Sequence, residues 1–216
     1  EPTYQLHAHI ARITGAEVVS APRGADFRID QSKLAGVFSA YKPDVTFVCS
    51  PNNPTGVVED EKTIRAIIDS APGLVIVDEA YAEFSQETSA VTLITNNPHV
   101  IVIRTMSKAF AFAGARVGYL VANSEVIDAM YLVRLPYHLS AITQAAAEVA
   151  LEYQGELLGT VATLIESRNK VVTALVDMGL EVTPSSANFI IFSGFNLEPA
   201  QIWRQLLDRG VLIRDV

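Results

Sequence analysis

The chain has 216 residues, half of them hydrophobic and 19% charged, which suffices for one large buried core or one and a half smaller ones. Its 16 basic and 24 acidic side chains leave a net charge of -8, which argues against nucleic acid or an anionic membrane surface as a bulk partner. A small anion held by one or two local arginines stays open.

Taken in order, residues 4–14 carry Leu6, Ile10 and Ile13 at helical spacing, with Gly15 as a stop. The stretch 17–21 predicts a short strand, and 22–29 a loop. Asp30 is placed to cap a helix through Tyr41. After Pro43-Asp44, residues 45–49 read as a buried strand, and 50–56 as a dense turn. Asp60 caps a second helix to about Ala71, and the acidic run Glu59-Asp60-Glu61 suits its N-terminal dipole. Residues 74–77 form a strand ending at Asp78, and 100–104 a third. Short, punctuated connections between strands and helices point to a mostly parallel sheet with helices on both faces. A further strand, 117–122, follows too closely for a parallel crossover and is expected to be antiparallel.

Beyond it, Ser124 is expected to cap a helix to about Leu135. Residues 140–178 are helical in pattern, with a break near Gly155 and Gly159. Short strands at 180–183, 188–192 and 211–214 and a helix at 198–209 suggest a smaller α+β domain. The expected division is 1–150 and 151–216. Glu1-Pro2-Thr3 lacks an initiator methionine and the chain stops just after an apolar run, so a piece of a longer protein is expected. There is no apolar run of the roughly 18 residues that span a membrane and no leader-like start, so neither a membrane span nor a signal peptide is expected. The single cysteine, Cys49, fits a reducing cytosol and reads as an inert buried residue. His7 and His9 lack a convincing third ligand, so no metal is expected.

Ligands of open α/β sheets bind beyond the carboxyl ends of the parallel strands. Three strands here end in polar clusters: Ser50 to Gly56, Asp78 to Tyr81, and Thr105 to Lys108. Singly, each has a plainer reading as a turn, a helix cap, half-buried packing or a solvated surface lysine. Those readings do not explain an acid, a phenol, an amide, an amine and an arginine on one rim. Pyridoxal phosphate does. It needs an amine for its aldehyde, a carboxylate for its ring nitrogen, hydrogen bonds to its phenolate oxygen, and donors with positive charge for its phosphate. Lys108, Asp78, Tyr81 with Asn53, and Thr105, Ser107 and Arg116 supply one of each. Desolvation beyond a strand end would free the Lys108 lone pair. Tyr4 could cover the ring.

The segments SPNNPTG (50–56), VIVDEAYAEF (75–84), RTMSKAFAFAGARVGY (104–119) and RLPYHLSAITQAA (134–146) resemble fold-type-I pyridoxal-phosphate aminotransferases, and within them histidinol-phosphate aminotransferases. The resemblance covers nearly the whole chain. It implies the large-domain fold of that class, with Lys108 as the covalent and proton-transferring residue. Asp78 would pair with the ring nitrogen, and Tyr81 and Asn53 with the phenolate oxygen. Thr105, Ser107 and Arg116 would hold the phosphate, and Tyr4 would stack on the ring. Arg214, in LIRD (212–215), would meet the substrate's phosphate end, and Asn188, in ANF (187–189), would lie near the substrate.

An upstream glycine-rich segment, a tyrosine from a partner subunit and a downstream arginine belong to the family pattern and have no counterpart in these residues. The implied activity is transfer of an amino group between L-histidinol phosphate and 2-oxoglutarate in histidine biosynthesis, by a cytoplasmic homodimer. Aromatic amino-acid transamination, a decarboxylase or lyase on the same fold, and a non-catalytic effector-binding domain are the alternatives.

Overall fold

Three runs rich in β-branched residues lie side by side in the computed structural model, which describes residues 1–215. They are β1 (Val45–Cys49), β2 (Leu74–Asp78) and β3 (Val100–Thr105), joined in that order by parallel ladders. A fourth strand, β4 (Gly118–Ala122), pairs antiparallel with β3, as the short connection requires. The α/β expectation with a mostly parallel sheet therefore holds. Register aligns Cys49 with Asp78 and Asp78 with Ile103, so the chain leaves all three parallel strands at one edge.

Period-two alternation divides the sheet's faces. Val48, Val75, Val77, Val100 and Val102 point to one side and meet Phe38, Ile64, Ile67, Ile68, Leu93 and Ile94 in a buried cluster. Phe38 comes from α2 (Gln31–Tyr41), Ile64, Ile67 and Ile68 from α3 (Glu61–Ser70) at helical spacing, and Leu93 and Ile94 from the short helical turn Ala90–Asn96. The caps expected at Asp30 and Asp60 are formed. Asp30 accepts from the Ser32 and Lys33 amides, and Asp60 from the Thr63 amide. On the opposite face lies α1 (Gln5–Ile13), whose His7 ring stacks on Phe47 at 4.6 Å. The expected helix exists, but its apolar spacing marks the outward face: Leu6, Ile10 and Ile13 are exposed, while His7, Ala8 and Ala11 face inward along a cavity.

After β4 come α4 (Ser124–Val133), α5 (Ala141–Glu152) and α6 (Gln154–Asp177), then β5 (Glu181–Val182), β6 (Phe192–Ser193) and α7 (Pro199–Asp208). The helical break falls at Tyr153, just before the glycines. Asn123, not Ser124, caps α4 by accepting from the Glu125 amide. A second buried cluster joins Tyr81, Phe84, Met106, Ala109, Phe110 and Val117 to Ala150, Val161 and Ala187. Residues on both sides of position 150 thus share one core. Among the described residues, no helix is long and apolar enough to cross a membrane.

Three expected strands differ. Residues 17–21 form no strand, because they face β1 across a cavity of about 500 Å³ and have no neighbour to pair with. The 188–192 strand shrinks to Phe192–Ser193, because Asn188 and Phe189 belong to a bend closed by Ser185 Oγ donating to the Phe189 carbonyl (2.6 Å). Residues 211–214 form no strand; there Ile213 takes its hydrogen bond from the Trp203 indole instead.

A buried ion pair fixes the turn after β1. Arg23 Nη1 donates to Glu59 at 2.7 Å, and both side chains are almost wholly buried. Arg23 also donates to the Phe27 and Cys49 carbonyls, and Glu59 accepts from the Ile29 amide. Removing one member of such a pair strands the other in low dielectric. Arg23→Met is expected to lower the unfolding free energy by about 3 kcal/mol, measured by urea denaturation. A change within about 0.5 kcal/mol would show that the pair is dispensable.

Candidate active site

The strand-end register decides what meets at the sheet edge. Asp78 closes β2 and is buried. Its Oδ1 accepts from the Ala80 amide at 3.0 Å, and its Oδ2 lies 2.9 Å from His7 Nε2. Beside a carboxylate, Nε2 is the ring nitrogen that carries the proton. Two contacts leave further acceptor positions on the carboxylate for a third donor.

Three residues on, Tyr81 is buried in the second core cluster, and its phenolic oxygen accepts from Asn53 Nδ2 at 3.1 Å. Burial pushes the phenol's pKa up, partly countered by the Asn53 hydrogen bond. Tyr81 therefore keeps its proton, which is free to be donated to another oxygen. Asn53 is positioned by the turn before it: Asn52, fully buried, donates to Thr55 Oγ1 and to the Pro2 carbonyl and accepts from Thr3 Oγ1.

Beyond β3 the chain turns tightly. The Ser107 amide donates to Thr105 Oγ1 (3.1 Å), the Thr105 hydroxyl to Ser107 Oγ (2.9 Å), and the Ala111 amide to the Lys108 carbonyl (3.0 Å). The Ser107 hydroxyl proton stays available. Buried Ala109 and Phe110 anchor the turn and hold Lys108 over the Tyr81 ring, its Nζ 5.5 Å from the ring centroid. Lys108 is exposed rather than desolvated, because it stands on the outer side of the turn with none of the described residues packed over it.

The structure thus gathers Asp78, Asn53, Tyr81 and Lys108, with the Thr105–Ser107 hydroxyl pair on the same turn. Tyr4 stands edge-on to His7 at 5.3 Å and is partly exposed. Arg116 has a left-handed backbone (φ 57°) and is exposed, with Nη1 donating to the Ala113 carbonyl rather than to either hydroxyl. Asn188 is exposed between buried Ala187 and partly buried Phe189, and Phe189 rather than Asn188 touches Tyr81, edge-to-face at 5.0 Å. Arg214 is exposed, one residue past Ile213, and no hydrogen bond joins it to the cluster.

Sequence reasoning missed His7. It lies 71 positions from Asp78, and its one local sign is a histidine on the alanine face of α1. His9 is exposed, and no group of three His, Cys, Asp or Glu among the described residues is arranged to hold a metal.

Known proteins resemble this chain along its whole length. The family model for class I and II aminotransferases matches residues 1–216. The chain is 52% identical over 216 residues to histidinol-phosphate aminotransferase of Mycobacterium avium (strain 104), covering all of this chain and 54% of that protein. It is 52% identical over 217 residues to the enzyme of that name from Corynebacterium glutamicum (strain R), covering all of this chain and 59% of that protein. The chain therefore spans little more than half the length of these curated relatives. The crystal structure of histidinol-phosphate aminotransferase from Sinorhizobium meliloti, in complex with pyridoxal-5'-phosphate, superposes with a TM-score of 0.90 at 28% identity. That match covers 98% of this chain and 59% of that one.

Cys49 lies beside Asp78 at the strand ends, and burial, with the aspartate's charge second, pushes its thiol up to about 12. Far less of it is therefore ionised near pH 8 than of an ordinary exposed thiol. Native protein is expected to resist thiol-directed alkylation at pH 8 and to react promptly once unfolded. Equal rates in the two states would contradict the buried placement.

Proposed function

The chain belongs to the class I and II aminotransferases, and on that premise we propose that it is part of a pyridoxal-phosphate enzyme that moves an amino group between L-histidinol phosphate and 2-oxoglutarate. One observation carries the cofactor reading: Tyr81 is oriented by Asn53 with its own proton unspent, beside a buried aspartate and under a lysine ammonium. That donor set fits the cofactor's chemistry. A carboxylate suits a protonated ring nitrogen, a phenol a ring oxygen, an amine an aldehyde, and hydroxyls a phosphate.

Bound there, pyridoxal 5'-phosphate supplies an aldehyde that exchanges amines and a ring that accepts the electron pair released at the amino-bearing carbon. The chain's own residues do the rest. Asp78 is held by the Ala80 amide and by His7, so its carboxylate is fixed before any ligand arrives, and it would keep the ring nitrogen protonated. Tyr81 would donate its phenolic hydrogen bond, and Asn53 its amide, to the ring oxygen. Lys108 Nζ would be the amine that holds the cofactor's aldehyde, and the same nitrogen, when free, would serve as the base that takes up and returns one proton. Ser107 would offer its free hydroxyl to the phosphate, Thr105 its hydroxyl on releasing Ser107, and Arg116 its guanidinium charge on turning from Ala113. Tyr4 would cover the ring, and Arg214 and Asn188 would act on the substrate.

The same reading makes the enzyme a homodimer of the cytoplasm. Leu132, Val133, Leu135, Tyr137 and Ile142 form an apolar stretch that is largely exposed in one copy, which supports a covered interface. A lone reduced cysteine supports a reducing compartment. Substrate choice is tested by steady-state kinetics on the full-length protein with added cofactor. A higher kcat/KM for L-histidinol phosphate than for phenylalanine or tyrosine is expected, with glutamate formed from 2-oxoglutarate. A reversed preference, release of carbon dioxide, or release of free ammonia would overturn the assignment.

A further inference from the structure

Tyr81 and Asn53 form one hydrogen-bonded pair, yet they come from different turns 28 positions apart. Both turns are gripped by a third segment, residues 185–189, which follows β5. Phe189 sets its ring edge against the Tyr81 ring at 5.0 Å and 86°. On the Asn53 side, the Ser186 amide donates to the Gly56 carbonyl at 2.7 Å. Gly56 has φ 76°, and a Cβ there would collide with Ser185 Oγ and lie 2.7 Å from Ser185 Cβ, so the two backbones sit as close as glycine allows.

The segment is itself made rigid from within. Ser185 Oγ donates to the Phe189 carbonyl at 2.6 Å, and the Ala187 amide donates to Ser185 Oγ at 3.1 Å. Arg168, on α6, donates through Nη1 to the carbonyl of Ala187, which is fully buried. A stiff brace therefore touches the Tyr81 ring and, at Gly56, the turn that carries Asn53, and Arg168 ties it to the long helix α6.

We infer that Phe189 is a positioning residue, through which the segment 185–189 fixes the direction of the Tyr81 phenol. The edge-to-face contact removes the ring's freedom to tilt away from Asn53. Through Arg168 and α6, any shift of the C-terminal elements then reaches the phenol. This rests on the reading of Tyr81 as donor to the cofactor's ring oxygen.

The test uses the full-length protein with pyridoxal phosphate and follows the pH midpoint of the bound cofactor's visible band. A hydrogen bond donated to the ring oxygen stabilises its negative charge and lowers that midpoint. Phe189→Ala, and Phe189→Leu as a variant that preserves more volume, are each expected to raise the midpoint by about half a pH unit, a threefold change in proton affinity. Tyr81→Phe is expected to raise it further, and adding Phe189→Leu to Tyr81→Phe to change nothing more. A purely structural Phe189 would lower stability and leave the midpoint in place, and that result overturns the inference alone. So does a shift from Phe189→Leu that persists in the Tyr81→Phe background. No band in the unaltered protein, or a midpoint unmoved by Tyr81→Phe, overturns the cofactor reading and the inference with it.

Discussion

Parallel register is the constraint on which everything else depends. Because Cys49, Asp78 and Ile103 stand in line across the sheet, the polar segments after β1, β2 and β3 emerge at one rim. A one-residue slip would turn Asp78 to the opposite face, into the valine and isoleucine cluster, where a carboxylate has no partner. The apolar pattern of β2 and β3 forbids that slip, so the core that stabilises the sheet also aims its chemistry.

Around this rim the polar groups are satisfied in a graded way. Behind it the bonding is dense: Arg104 donates to Glu79 at 2.6 Å and lies 2.9 Å from Ser89 Oγ, and Glu79 also accepts from the Ala90 amide. Burial pushes the neighbouring Glu83 upward. Those groups hold the scaffold. Nearer the edge, Asp78, Tyr81 and Ser107 each keep a donor or acceptor uncommitted, and Lys108 is bare to solvent. Unspent capacity at an otherwise well-paired edge is what a ligand with matched chemistry would use.

Local chemistry explains which parts were legible in the sequence. Asp30 and Asp60 could be read as caps because a cap acts over three residues, and the strands because their β-branched runs are long. Asn123 displaced Ser124 as a cap since either side chain reaches the next turn, and sequence alone does not choose. The 17–21 stretch has a strand's composition but no neighbour, and a strand is defined by its partner. Helix α1 was recognisable, but its orientation was not: a hydrophobic stripe reveals period, and tertiary packing chose the alanine face. The His7–Asp78 contact, the exposure of Lys108 and the turning of Arg116 to Ala113 all depend on long-range placement. The motif residues Asn53, Asp78, Tyr81 and Lys108 could be nominated because three strand ends were visible and one edge had to receive them.

The central claim is that one rim, with Lys108 at its open side, holds an aldehyde cofactor. The most direct measurement reduces the full-length protein with borohydride in the presence of pyridoxal phosphate and maps the modified peptide by mass spectrometry. The account predicts stoichiometric modification on Lys108, within the stretch 104–119, and none in a Lys108→Ala variant. Modification of another lysine in the unaltered protein, or of none, would contradict it.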